Sequence, residues 1–129
     1  MKKPVAAAVV HLDGKILITR RAPGQSLAGL WEFPGGKLEH EESPQECITR
    51  ELREELGVES DAGEILTTTT YAYPGVEIEL IAISVELQST QFNLQVHDRF
   101  EWVRPQELLR YNLAPADIPI AQEIIRKYG

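Results

Sequence analysis

The chain has too few cysteines to cross-link itself. Cys47 is the only one in 129 residues, so no intramolecular disulfide can form, and the count fits a reducing, cytoplasmic setting. Long apolar runs are missing as well. None reaches the roughly 18 residues that a membrane-spanning helix requires, so no membrane partner is expected. Val5–Leu12 could pass for a short leader, yet it runs into the charged Asp13-Gly14-Lys15 turn without a small-residue cleavage pattern and reads as a core strand. Basic residues are also scarce: 13 Lys and Arg stand against 20 Asp and Glu, a formal net charge of −7. That balance argues against non-specific binding to a nucleic-acid backbone, and no nucleic-acid polymer is expected as a partner. A small phosphate-bearing molecule is not excluded, because a bound divalent cation reverses the local sign and then requires acidic residues around it.

What is present suits a packed globular fold. Hydrophobic residues make up 43% and charged residues 26%, and the absence of repeats or long linkers points to one domain over residues 1–129. Val5–Leu12 and Lys15–Arg20 read as strands of a hairpin closed by Asp13-Gly14. Residues 21–30, with Pro23, Gly24 and Gly29, read as a loop, and Trp31–Phe33 as a short strand ended by Pro34-Gly35-Gly36. Ser43 as N-cap, Pro44 at the first helical position and Glu46 three residues after the cap predict a helix over about 44–56, stopped by Gly57. Ile65–Tyr73, Val76–Leu87 and Phe100–Val103 read as further strands, Pro105–Arg110 as a helical turn and Pro119–Tyr128 as a closing helix. Strands mixed with two helices give an α+β class.

The chemistry concentrates on the first helix. Glu51, Glu54 and Glu55 lie at i, i+3 and i+4 and share one face. At ~100° per residue that face is turned about 100° from the Ile48–Leu52–Leu56 stripe. The stripe can enter the core while the carboxylates line the edge of a cleft. Three like charges so close raise one another's pKa and weaken the helix. Mg²⁺ removes that penalty, because it takes carboxylate oxygens and keeps water positions free for phosphate. A solvated acidic face is the ordinary explanation of a lone Glu-x-x-Glu-Glu; here a glycine turn, a capped helix start and Arg50 stand at fixed distances from it.

Those distances carry a resemblance. From Gly36 to Val58, 23 residues, the segment resembles the Nudix box, G-x5-E-x7-R-E-U-x-E-E-x-G-U with U aliphatic. Gly36, Glu42, Arg50, Glu51, Leu52, Glu54, Glu55, Gly57 and Val58 fill every defined position. Ile18–Arg21, Leu30–Gly36 and Ala114–Pro119 are further similar to MutT-type and CTP-pyrophosphohydrolase-type Nudix proteins. The resemblance implies the Nudix fold, a mixed β-sheet sandwiched between α-helices, with the box as loop–helix–loop. It implies Mg²⁺, with Mn²⁺ as a substitute, held by Glu51, Glu54, Glu55 and the Gly35 carbonyl. Glu42 takes the place of an outer helper, and Arg50 that of the residue orienting a box carboxylate.

The reaction so implied is hydrolysis of a nucleoside triphosphate to its monophosphate and pyrophosphate, by attack of water at the β-phosphorus. Glu54 or Glu55 takes the proton, or Glu101 before Trp102, with Asp98 competing for that role. Arg21 is placed to touch phosphate or base, and Phe33 either stacks on a base or belongs to the core. Gln122 falls near the position where MutT-type proteins read oxidised guanine with asparagine, whereas the Ala114–Pro119 tail, with Asp117, favours cytidine-type relatives. The expected role is removal of damaged or surplus nucleotides, oxidised dGTP and (modified) CTP or dCTP leading. Nucleotide sugars or dinucleoside polyphosphates are the alternative substrates, and a non-catalytic nucleotide-binding module is disfavoured because every box glutamate is present. A monomer or a homodimer is expected. His11, His40 and His97 lack metal-ligand spacing and read as incidental, and Cys47 as a buried, neutral thiol.

Overall fold

Two strands whose residues are buried on both faces set the centre of the sheet. In a computed structural model, which describes residues 2–129, β1 (Lys2–Leu12) runs parallel to β6 (Val76–Leu87), in register from Lys2 opposite Glu77 to Val10 opposite Val85. A strand covered on both sides has no reason to alternate apolar with polar residues, which is why Ala6–Val10 is continuously apolar and buried. The remaining strands are β2 (Lys15–Arg21), β3 (Trp31–Glu32), β4 (Gly35–Lys37), β5 (Ser60–Tyr73) and β7 (His97–Val103). The sheet runs β3-β2-β1-β6-β5, with β4 antiparallel to β1 and β7 antiparallel to β2. The β1–β2 hairpin turns through Asp13 at φ 52° and Gly14 at φ 76°, the pair of positive φ values that a two-residue primed turn requires.

Each face of this mixed sheet buries one helix. Ala6, Ala8, Val10, Leu17, Ile81 and Ile83 meet Cys47, Ile48, Leu52 and Leu56 of α1 (Pro44–Leu56). On the other face, Ala7, Val9, Ile16, Ile18 and Ala82 meet Ile120, Ala121 and Ile124 of α2 (Ile118–Tyr128). The alanines of β1 let α1 pack close on that strand, while α2 lies nearer β5. The expected α+β sandwich is the observed one. Short 3-10 turns at Pro105–Arg110 and Pro115–Asp117 lead into α2.

Some boundaries differ, each for a physical reason. Gly35–Lys37 reads as the end of a turn but is strand β4, paired to Val5–Ala7. A Cβ on Gly35 would stand 1.9 Å from the Ala6 carbonyl oxygen, so this close approach is open only to glycine. Strand β5 begins at Ser60 rather than Ile65, because Ser60–Glu64 pairs through irregular register shifts between Ala62 and Thr67 despite its weak strand propensity. Likewise β7 begins at His97 rather than Phe100, beyond a shift opposite Arg20 and Arg21. Among the described residues no helix is long and apolar enough to cross a membrane.

Leu52 is fully buried between α1 and the sheet. Leu52→Ala is expected to lower unfolding free energy by about 2–5 kcal/mol. Leu109→Ala, at a side chain half exposed to solvent, should stay within about 0.5 kcal/mol. Urea denaturation of the two variants measures both.

Candidate active site

Helix α1 starts with a closed capping box: Ser43 Oγ accepts from the Glu46 amide, and Glu46 accepts from the Ser43 amide. It stops at Gly57, whose φ of 69° ends the helical path. With both ends fixed and the Cys47–Ile48–Leu52–Leu56 stripe locked in the core, the acidic face has one orientation, toward β4. Arg50 organises it. Its guanidinium donates to both oxygens of Glu42 at 2.7 and 2.9 Å, to Glu51 at 2.9 Å, to Glu54 at 3.0 Å and to the Lys37 carbonyl at 3.1 Å. Glu39 adds a further contact at 3.3 Å. The bidentate bond from Arg50, with the Glu39 amide, holds the Glu42 carboxyl down to about 2; the carboxylates in turn raise Arg50.

Glu51 is packed under the backbone of Gly36, where a Cβ would come within 2.4 Å of its carboxyl carbon. Burial raises Glu51 above the usual carboxylate range, against the lowering contact with Arg50. Glu55 has no such partner. It reaches toward Arg21, whose guanidinium is 4.0 Å away. Burial first, then Glu32 and Glu51, push its carboxyl up to about 8, while Arg21 and the Gly35 amide pull the other way. Its Oε1 is buried without a hydrogen-bond partner.

The box end opens into a cavity of about 220 Å³ lined by Arg21, Glu32, Gly35, Gly36, Lys37 and, at its far side, Tyr73 and Asp117. Asp117 is buried and accepts from the Phe33 amide; burial and the nearby Glu32 raise it well above the ordinary carboxylate range. Glu32 lies between the two raised acids, near enough to act on both. It accepts from Arg21 at 3.4 Å and pairs with His97 at 2.9 Å.

A helix carrying Arg50, Glu51, Glu54 and Glu55 over a glycine strand, beside a cavity with a buried acid, is the setting the sequence pattern implied. The NUDIX domain family matches residues 2–124. This chain belongs to the Nudix family. It is 42% identical over 118 residues to the CTP pyrophosphohydrolase of Escherichia coli (strain K12), covering 92% of this chain and 87% of that one. The 8-oxo-dGTP diphosphatase of the same strain is 30% identical over 128 residues, 98% of this chain and 99% of that one. Among solved structures, that of the Escherichia coli ORF135 protein has a TM-score of 0.84 and 38% identity, covering 97% of this chain and 89% of that one.

Not every expected residue of this Nudix chain reaches the cavity, and Arg50, Glu51, Glu54 and Glu55 stand beside it rather than on its wall. Arg21, Phe33, Gly35 and Asp117 line it, although Phe33 is 3% exposed and belongs chiefly to the core beside Trp31. Gly35 presents its amide to Glu55. Gln122 does not line the cavity: it is two positions after Ile120 and two before Ile124, on the solvent side of a helix whose other face is buried. Glu101 is also absent from the cavity wall and is held by Arg99 at 2.8 Å. Its rival Asp98 is taken by both forks of Arg20 at 2.8 Å.

Glu51, Glu54 and Glu55 share a face, yet Arg50 holds two of them while Glu55 turns inward. Among the described residues no three His, Cys, Asp or Glu side chains converge as a cation cage. Two polar cavity residues were missed in the sequence, Glu32 and Tyr73, and so was His97, buried behind Glu32. Glu32 carried a signal, a lone charge between two aromatics in a short strand; His97, read as incidental, carried none.

Glu55 and Asp117 bind protons in the folded chain at pH values where the unfolded chain has released them. Stability therefore falls as pH rises, for Glu55 from its unfolded value near 4.5 up through about 8. Glu42, shifted the opposite way, contributes stability that is lost only as pH falls below 4.5 toward about 2. The metal-free protein should lose thermal stability between pH 5 and 8, and Glu55→Gln should flatten that slope. An equal slope in the variant, read by calorimetry across the series, would contradict the assignment.

Proposed function

We propose that this chain is a Mg²⁺-dependent pyrophosphohydrolase that converts nucleoside triphosphates, cytidine nucleotides foremost, into the monophosphate and pyrophosphate. The observation that carries this reading is a cavity lined by Arg21, Glu32, Lys37 and buried Asp117, with the box carboxylates beside it and Glu55 reaching toward Arg21 on its wall. Its charge pattern matches a triphosphate with its cation followed by a base.

The residues present fit a divalent cation. The buried Glu55 Oε1 has no hydrogen-bond partner, and Glu32, Glu51 and Glu55 crowd like charge that Arg21 and Arg50 offset in part. Glu51, Glu54 and Glu55 would hold the ion, with Mn²⁺ able to replace Mg²⁺, and it supplies charge screening and acidifies water at the reacting phosphorus. Gly36 leaves the room that the Glu51 carboxylate occupies. Arg50 restrains Glu51 and Glu54 until substrate arrives and positions both through charge-assisted bonds. Lys37 and Arg21, at the cavity wall, face the phosphate chain.

Water attacks the β-phosphorus, its oxygen ends on pyrophosphate, and the bond from the β-phosphorus to the bridging oxygen breaks, so the monophosphate leaves with that oxygen. Glu55 Oε1 takes the proton; Glu101 and Asp98, tied to arginines outside the cavity, are poorly placed for it.

Base recognition falls to Glu32 and Asp117. A carboxyl kept protonated by burial offers both a hydroxyl donor and a carbonyl acceptor. That pair matches the ring nitrogen and exocyclic amine of cytosine. The Ala114–Pro119 stretch and the similarity to a CTP pyrophosphohydrolase support the same preference.

A nucleotide panel with Mg²⁺ in ¹⁸O-water, read by chromatography and mass spectrometry, tests the cut. Monophosphate and ¹⁸O-labelled pyrophosphate are expected, with cytidine substrates favoured. Orthophosphate as the direct product would sink the proposal. On the same panel Asp117→Asn, which keeps one donor and one acceptor, should retain the cytidine preference. Asp117→Ala should lose about 10- to 100-fold in kcat/KM for cytidine nucleotides; equal kinetics in both variants would remove Asp117 from the base site.

A further inference from the structure

His97 is fully buried, and its ring has a single polar tether. Nε2 stands 2.9 Å from Glu32 Oε2, while Nδ1 is buried with no hydrogen-bond partner. A side chain serving only to fill this space would be better apolar, because an orphaned buried polar atom loses its bond to water and gains nothing in return. The backbone explains how the ring gets there. His97 pairs with Arg21 just past the register shift between Arg20 and Arg21, and such an irregularity re-aims a side chain beside a site. Arg21 NH1 approaches the same oxygen, Glu32 Oε2, at 3.4 Å. Two neighbouring strands therefore fix one oxygen of an acid on a third strand. Glu32 lines the cavity, and no hydrogen bond among the described residues engages its Oε1.

We infer that His97 is a positioning residue that clamps Glu32 Oε2 from inside the fold and so presents Glu32 Oε1 to the base of the substrate. The inference rests on the reading of Glu32 as a base contact. Its consequence is for selectivity rather than for the chemical step: His97 touches no reacting atom, and Glu55 keeps its place on α1 without it. When the clamp is lost, Glu32 is free to swing, and the base is gripped less tightly and less selectively.

Steady-state kinetics on the nucleotide panel, with a double-mutant cycle, provide the test. His97→Leu fills the space without the N–H; His97→Gln restores an N–H at similar reach. We expect His97→Leu to raise KM for the preferred nucleotide about tenfold with kcat within about threefold, to narrow the preference between bases, and His97→Gln to recover most of both. In a Glu32→Ala background His97→Leu should add nothing further.

Independent, multiplicative losses in the double variant, or equal kinetics for Leu and Gln, would overturn the role of His97 and leave Glu32 as a base contact. Wild-type KM on every base for Glu32→Ala alone would remove the base contact and the clamp together. Should His97→Leu fail to fold, as thermal unfolding would show, the Gln variant decides: unaltered selectivity supports the clamp, and lost selectivity in a stable protein overturns it.

Discussion

The guanidinium of Arg50 is the point on which the acidic face of α1 depends. Glu39 and Glu42 from the loop before α1 and Glu51 and Glu54 from the helix all lie within contact of it, and without a central cation these carboxylates would repel one another. Arginine suits the place because its planar fork satisfies Glu42 with two bonds and still has donors for two helix carboxylates. The grip is uneven. Glu42 is held well below the usual carboxylate range, whereas burial and the neighbouring Glu54 and Glu42 leave Glu51 above it despite Arg50. Glu55 lies outside the cluster altogether.

That unevenness gives the cleft its character. Two buried acids, Asp117 on its wall and Glu55 beside it, both hold their protons more tightly than usual. Each is anchored by one backbone amide, from Gly35 and Phe33 respectively, and each feels Glu32 between them. Crowded, desolvated acids weaken a fold, and here the surrounding structure tolerates them: the core on both faces of β1 is continuous, and the capped helix cannot rotate to release its carboxylates into solvent. Local destabilisation at a site held by a rigid frame is a common feature of catalytic surfaces.

The separation between what places the residues and what charges them also explains which candidates fell away. Glu101, Asp98 and Gln122 are of suitable chemical type and near the expected positions in the chain. Arginine pairing removes the first two from the cavity, and helical phase turns the third to solvent. The cavity instead takes Glu32 and, behind it, His97, residues that stand 65 positions apart.

The sequence by itself determined the local features: the capped helix over Pro44–Leu56, the hairpin turn at Asp13-Gly14, the core strand before that turn, and the placing of Glu51, Glu54 and Glu55 on one helix face. Each depends on side chains a few residues apart, where spacing is geometry. Tertiary structure alone decided the β4 pairing that forces glycine at position 35, the division of the acidic face into a half held by Arg50 and an inward Glu55, and the meeting of Arg21, Glu32 and His97. Those contacts join strands that are distant in the chain and shifted in register, and neither periodicity nor residue type carries information about which edge of a sheet will lie against which.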